Sequence, residues 1–322
     1  MIRTSVVIPT YNRAHFLGDC LEALIHQDIS PEQYEIIVVD DGSPDNTGEI
    51  VNQFIRNYPN QHISYLKQTN AGPSVARNNG WRYAQGMIVA FIDDDCIASP
   101  QWIREISSGY DNPDVAGSCG NVLPVELDNI ITQFLTFEKL HQVPFLDNYG
   151  QIFYPITCNA SFRKSILELV NGFDETFPYA GGEDVDLGIR IRKKGYFFID
   201  NRNAIIRHYH KDTYIGMVKT WYRYGVGGAQ WKLKNRLRLT HKRNESGVML
   251  WFFIHPSIIK PIRELLKQGF SIQYAPHEVI HNLEHGSTLI NSIIFFYLLY
   301  SRNTISHIGQ WIGYRRYRST FK

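Results

Sequence analysis

"MIVAFIDDDC", residues 87–96, runs from six apolar positions straight into three carboxylates. A short, unbroken apolar run suits a strand buried on both faces, and such strands belong to parallel sheets covered by helices. Adjacent carboxylates repel one another, so a turn that keeps three of them relies on solvent or on a cation. Taken alone, Asp93, Asp94 and Asp95 fit a solvated strand end at least as well as a metal site.

The same arrangement recurs upstream. "TSVVIP" (4–9) leads into "TYNR", "YEIIVV" (34–39) into "DDGS", and "HISYLKQ" (62–68) into "NAG". Between them lie helical patterns: Leu17, Leu21, Leu24 and Ile25, then Ile50, Val51, Phe54 and Ile55, then "PSVARNNGWRYAQG" with proline in its first turn and Gly86 as its stop. Strand and helix in alternation predict an α/β fold, a mostly parallel central sheet with helices on both faces. Ligands of such sheets sit at the carboxyl ends of the strands. Four polar turns in that position predict one pocket.

From 97 to about 180 the pattern loosens into short strands ("DVAGSCGNV", "FYPITCNAS") and a helix around 130–140. "GGEDVDLGIRIRKKG" (181–195) reads as a helix with Glu183 and Asp184 in its first turn, where the helix dipole favours carboxylates. "NAIIRHYH" (203–210) is a strand presenting His208 and His210 at alternate positions. Beyond it the composition turns aromatic, basic and apolar, which places a boundary near 212.

The 322 residues, 43% hydrophobic and 20% charged, describe a folded globular chain. A net charge of +2 argues against broad capture of nucleic acid. The phosphate loop G-x-x-x-x-G-K-[ST] and the dinucleotide fingerprint G-x-G-x-x-G are both absent. The cysteines (Cys20, Cys96, Cys119, Cys158) are too far apart for a zinc site and read as core thiols of a reduced compartment. With a strand beginning at once and no secretory leader, the expected location is the cytoplasm, touching at most the inner face of the membrane.

Each cluster has a plain structural reading beside a functional one. Asp45 or Asn46 fits an Asx turn that starts a helix, whereas Asp40, last in its strand, can accept from a ligand N–H. Arg77 near an aspartate cluster either pairs with it or binds phosphate. The "GGED" carboxylates could be ordinary helix-start charge.

Six stretches in order, "SVVIPTYNR", "VVDDGSPDNT", "NAGPSVARNNG", "FIDDDC", "NGFDE" and "EDVDLGIR", resemble family 2 glycosyltransferases of the GT-A fold, covering about residues 3–210. The resemblance implies a metal-dependent, inverting sugar transfer from a nucleotide-sugar, UDP-linked by expectation, to a glycan or lipid-linked acceptor. It implies that Pro9, Thr10, Tyr11 and Arg13 floor the nucleotide base and ribose, and that Asp40 reads the base. Arg77 is placed beside the diphosphate, where Asp93 and Asp94 also face the donor. Asp93 and Asp95 match the D-x-D pair that holds Mn²⁺ or Mg²⁺, with His208 a further ligand and His210 its alternative. Asp184 is implied as the catalytic base and Glu183 as its partner in orienting the acceptor.

Residues 1–211 are therefore expected to form the catalytic domain, donor side up to about 96 and acceptor side beyond. Residues 212–322 form a helical extension. Its apolar runs "VMLWFFIHPSII" and "LINSIIFFYLLY" are too short to span a bilayer. They suit helices packed on the catalytic domain, with a membrane-surface or oligomer contact as the competing reading. A nucleotidyltransferase would carry a glycine-rich basic loop after the first strand, which "PTYNRAHFLGD" lacks. A non-catalytic sugar-nucleotide-binding module would be marked by loss of the base, and Asp184 is present.

Overall fold

The computed structural model describes residues 2–125, 130–137, 145–147, 150–209, 213–235 and 289–317. The predicted alternation is found as β1 (Thr4–Thr10), α1 (Ala14–Ile25), β2 (Tyr34–Asp40), α2 (Thr47–Asn57), β3 (His62–Lys67), α3 (Pro73–Tyr83) and β4 (Ile88–Ile92). There follow β5 (Cys96–Ala98), α4 (Trp102–Ile106), β6 (Val115–Pro124), α5 (Ile130–Phe137), β7 (Phe145–Leu146), β8 (Ile152–Tyr154) and β9 (Asn159–Arg163). The chain continues through α6 (Lys164–Val170), α7 (Glu183–Arg192), β10 (Phe197–His208), α8 (Tyr214–Lys234) and a long helix, α9 (Leu289–Tyr317).

Eight strands form one sheet in the order β3-β2-β1-β4-β9-β6-β10-β5. Strands β3, β2, β1 and β4 are parallel neighbours; β9 runs against β4 and β6, and β10 is parallel to β6 and antiparallel to β5. Thus β1, β2, β3, β4, β6 and β10 all end at the same edge. That single edge collects Thr10, Asp40, the aspartate turn and His208.

Both faces of the sheet are covered. Val6, Ile8, Ile36 and Val38 pack with Leu17, Leu21 and Leu24 of α1 on one side. Val7, Val39 and Phe91 pack with Ala76 and Trp81 of α3 and Leu187 and Ile191 of α7 on the other. Gly80 lets α3 lie close on the sheet, since a Cβ there would run into the Val7 side chain. Pro9 sits in buried β1 without an N–H to give; the ladder to β4 ends at Val7, two residues earlier. All four cysteines are buried and free.

Strand β4 stops at Ile92, so the three aspartates form a turn into β5 rather than the strand's last residues, with Cys96 N donating to Asp93 O at 3.2 Å. The tail run "LINSIIFFYLLY" opens α9, whereas "VMLWFFIHPSII" and His210 lie outside the described residues. Helix α8 packs Met217 and Trp221 on Ile131, Phe134 and Leu135 of α5. It also crosses the chain just before α7: a Cβ on Gly227 would collide with Gly181 O, so the two backbones touch. Gly225, Gly309 and Gly313 bring α8 and α9 into similarly close contact.

Candidate active site

The polar turns at the sheet edge are bonded to one another. Asn12, whose φ of 54° turns the chain after β1, donates its N–H to Ser43 Oγ at 2.9 Å. Asp41 accepts from Ala71 N and Gly72 N at 2.8 and 2.9 Å, clamping "DDGS" to "NAG". Asp45 starts two helices, accepting from Thr47 Oγ1 at 2.6 Å and from Ala14 N at 3.0 Å. That settles the Asx-turn expectation on Asp45, since Asn46 makes no side-chain cap.

The three aspartates diverge in environment. Asp94 is buried and accepts from Thr10 Oγ1 at 2.8 Å and Arg13 Nη1 at 3.0 Å, binding its turn to the end of β1. Burial pushes its carboxyl up, to about 7, against the pull of Arg13. Arg13 also reaches Asp95 Oδ2 at 2.7 Å, so this residue, expected beneath the nucleotide, lies against the aspartate turn. Asp95 Oδ1 faces His208 Nε2 at 3.3 Å, and Tyr209 N donates to Asp95 O at 2.9 Å. Asp93 is the aspartate open to the cleft, its side chain 28% exposed, and Arg77 Nη2 holds one oxygen at 3.1 Å.

Arg77 is 3% exposed and works as a bridge. Its other terminal nitrogen, Nη1, meets Glu183 Oε1 at 3.0 Å, and its guanidinium lies 5.7 Å from the centre of the Phe173 ring. Glu183 also accepts from Gly181 N, within a turn where Gly181 and Gly182 take φ of 131° and 97°. Those angles suit glycine and aim the first turn of α7 at the aspartates. Burial, then the neighbouring Asp184, pushes the Glu183 carboxyl up to about 8, with Arg77 opposing. Asp184 is less enclosed and accepts from Thr157 N and Oγ1 at 3.3 and 3.4 Å.

At the other end of the pocket, Asp40 is buried and accepts from Ser43 N at 2.7 Å and from the Tyr65 hydroxyl at 2.5 Å. A carboxylate has about four lone-pair sites, so capacity for a ligand N–H remains. Tyr11 is 48% exposed at the mouth, beside buried Thr10. Thr157, Phe173, Tyr154 and Tyr224 also belong to the site and were not singled out in the sequence. Burial, then Asp184, pushes the phenols of Tyr154 and Tyr224 up. Phe173 carried a signal inside "NGFDE", and Tyr224 lies inside "WYRYGVGGA" (221–229), which resembles the segment after the catalytic domain in members of the same family.

The donor set suits a hard divalent cation. Asp93 and Asp95 offer the carboxylate oxygens that Mg²⁺ and Mn²⁺ favour, and His208 adds a softer imidazole. Among the described residues the ligand atoms within 4.8 Å of one another are those of Asp95, Cys96 and His208, without Asp93. Cys96 packs in the hydrophobic core, and burial, then the neighbouring Asp95, holds its thiol well above the ordinary range, as suits a core thiol.

Residues 5–170 match the model of the family described as Glycosyl transferase family 2, and residues 88–301 that of Glycosyl transferase family group 2. The chain belongs to glycosyl transferase family 2. Members of this family are sugar-transferring enzymes. A validoxylamine A glucosyltransferase of Streptomyces hygroscopicus subsp. limoneus is 33% identical over 59% of this chain and 48% of its own length. The glycosyltransferase AglE of Haloferax volcanii is 29% identical over 78% of this chain and 80% of its own. The chain thus spans about half the length of the first-ranked curated relatives, at 48% and 51%. Among solved structures, the mannosyltransferase PcManGT from Pyrobaculum calidifontis, in complex with GDP-Man and Mn²⁺, superposes with a TM-score of 0.59 at 19% identity, covering 98% of this chain and 86% of that one. TarS 1–349 of S. aureus with UDP gives 0.51 at 18%, covering 99% and 92%. At these identities the superpositions establish the GT-A-like fold.

Proposed function

We propose that this chain is a metal-dependent, inverting glycosyltransferase, moving a sugar from a UDP-linked donor to a hydroxyl of a glycan or lipid-linked acceptor. The observation that supports it is buried Arg77, which ties Asp93 of the strand-end cluster to Glu183 at the start of α7. One arginine thereby joins the carboxylates of the strand-end turn and of the start of α7. Residues 1–211 carry the chemistry in this reading, and α8, the first helix of the C-terminal extension (212–322), closes their acceptor side.

Pro9, Thr10 and Tyr11 floor the nucleotide, and Asp40 accepts a base N–H. Asp93, Asp95 and His208 hold Mn²⁺ or Mg²⁺, which supplies Lewis-acid neutralisation of the departing diphosphate when bound. Arg77 adds a fixed positive charge at the same place. Asp184, oriented by Thr157, takes the acceptor proton as the acceptor oxygen bonds the anomeric carbon. The bond from that carbon to the diphosphate oxygen breaks on the opposite face, and its electron pair leaves with the nucleoside diphosphate. A single displacement inverts the anomeric centre. Glu183 stays paired with Arg77 and positions the turn that carries Asp184. The donor assignment draws on TarS, solved with UDP; a GDP-sugar, as in PcManGT, is the alternative.

The test is nucleoside diphosphate release from UDP-, GDP- and dTDP-sugars, with and without Mn²⁺. Asp184→Asn should lose about 10²–10⁴ in turnover, the share of a general base, and keep its UDP-induced thermal shift. A variant as active as wild type removes Asp184 from the role. Absence of metal-stimulated release from every donor sinks the transferase reading.

A further inference from the structure

The outward face of α9 has no part in the chemistry above. Gly309 and Gly313 turn one side of this helix onto α8. The side away from α8 presents Ile308, Trp311 and Tyr314 at 49%, 47% and 38% exposure. Residues 308, 311 and 315 follow helical spacing, and the Arg315 guanidinium lies 4.0 Å from the centre of the Trp311 ring. Neither α8 nor α9 contains an aspartate or glutamate, whereas α9 ends in Arg315 and Arg316. The same helix opens with "LINSIIFFYLLY".

From these observations we propose that the outward face of α9 docks on an anionic lipid surface. Tryptophan, tyrosine and arginine close together, with Ile308 one turn before them, combine an apolar body with tips that stay at headgroup level. A helix free of acidic residues complements a negatively charged leaflet. A second copy of the chain is the poorer partner, because a two-fold contact sets the same patch on itself and brings Arg315 towards its own kind. Among the described residues no helix is long and apolar enough to cross a membrane, so α9 lies along the surface. Docking there has a use: Arg316 hydrogen-bonds Tyr179, five residues before Asp184, so the lipid-facing helix borders the acceptor side. The binding itself is independent of the transfer chemistry.

The experiment is sedimentation of the full chain with phosphatidylcholine vesicles, pure or containing about one-third phosphatidylglycerol. The anionic vesicles should bind at least about ten-fold more protein, an excess that high salt removes. Arg315→Gln should weaken binding roughly five-fold, and Ile308→Ser/Trp311→Ser/Arg315→Gln should abolish it, with circular dichroism unchanged because these side chains are exposed. Equal partition into both vesicles, or a triple variant that binds like wild type, overturns the proposal. So does a dimer in vesicle-free buffer that the triple variant dissociates, since the face then belongs to a second copy.

Discussion

Arg77→Gln is the most informative single change in this molecule. The arginine reaches Glu183 at 3.0 Å and Asp93 at 3.1 Å, with Phe173 beneath it. Above pH 8, where Glu183 (1% exposed) is ionised, removal of the arginine strands a buried carboxylate with the Gly181 N–H as partner. Asp93 suffers less, because water can reach a side chain that is 28% open. Breaking one side of a buried pair costs about 3–5 kcal/mol. At roughly 2–4 °C per kcal/mol for domains of this order of size, Tm should fall by roughly 6–20 °C. Glu183→Gln alone should cost about 1–3 kcal/mol, since Arg77 keeps Asp93. The double variant removes both charges, so its loss should be about 1–3 kcal/mol smaller than the sum. Urea and thermal denaturation of the four proteins at about pH 9, above the raised Glu183 value, measure this. Additivity within about 0.5 kcal/mol, or an Arg77→Gln protein melting with wild type, refutes the reasoning.

Three further outcomes follow from the same geometry. Asp93→Asn and Asp95→Asn should each weaken Mn²⁺ binding with UDP by at least about ten-fold, read by electron paramagnetic resonance, whereas Asp94→Asn should change it less than about three-fold, because Asp94 faces Thr10 and Arg13. Equal losses in all three contradict the division. Gly227→Ala should force α8 away from the chain before α7 and lower transfer at least about ten-fold while most helix signal survives; full activity would show that the backbone contact is dispensable. The Glu183 carboxyl, raised from 4.5 to about 8, contributes stability that is complete below pH 4.5 and is lost as pH rises towards 8. Wild type should lose stability across that window faster than Glu183→Gln, by at most about 1.4 kcal/mol per pH unit; parallel urea-midpoint curves count against it.

The strand-end cluster was legible because parallel strands bury both faces and end at one edge. "TYNR", "DDGS", "NAG" and "DDD" therefore fall together whatever their long-range partners. Side-chain direction was not legible. Three identical residues in a row give no hint that Asp94 turns inward while Asp93 faces the cleft; that follows from Thr10 and Arg13, more than eighty positions away. The Arg77–Glu183 pair spans 106 positions, and the contact of Gly181 with Gly227 joins segments on either side of the expected boundary near 212. Thr157 lay in a stretch whose strand pattern was read as continuous, whereas β8 and β9 flank a turn there.

The touch between Gly227 and Gly181 bears on how such enzymes can be recombined. An engineer who exchanges C-terminal segments between family members to alter acceptor choice would cut at the boundary near 212 and keep the "GGED" turn of the host. Here that cut separates two surfaces that fit only because both lack a Cβ. The transferable cassette is discontinuous, residues 178–184 together with 224–229, and grafts that carry one piece without the other should misalign the base.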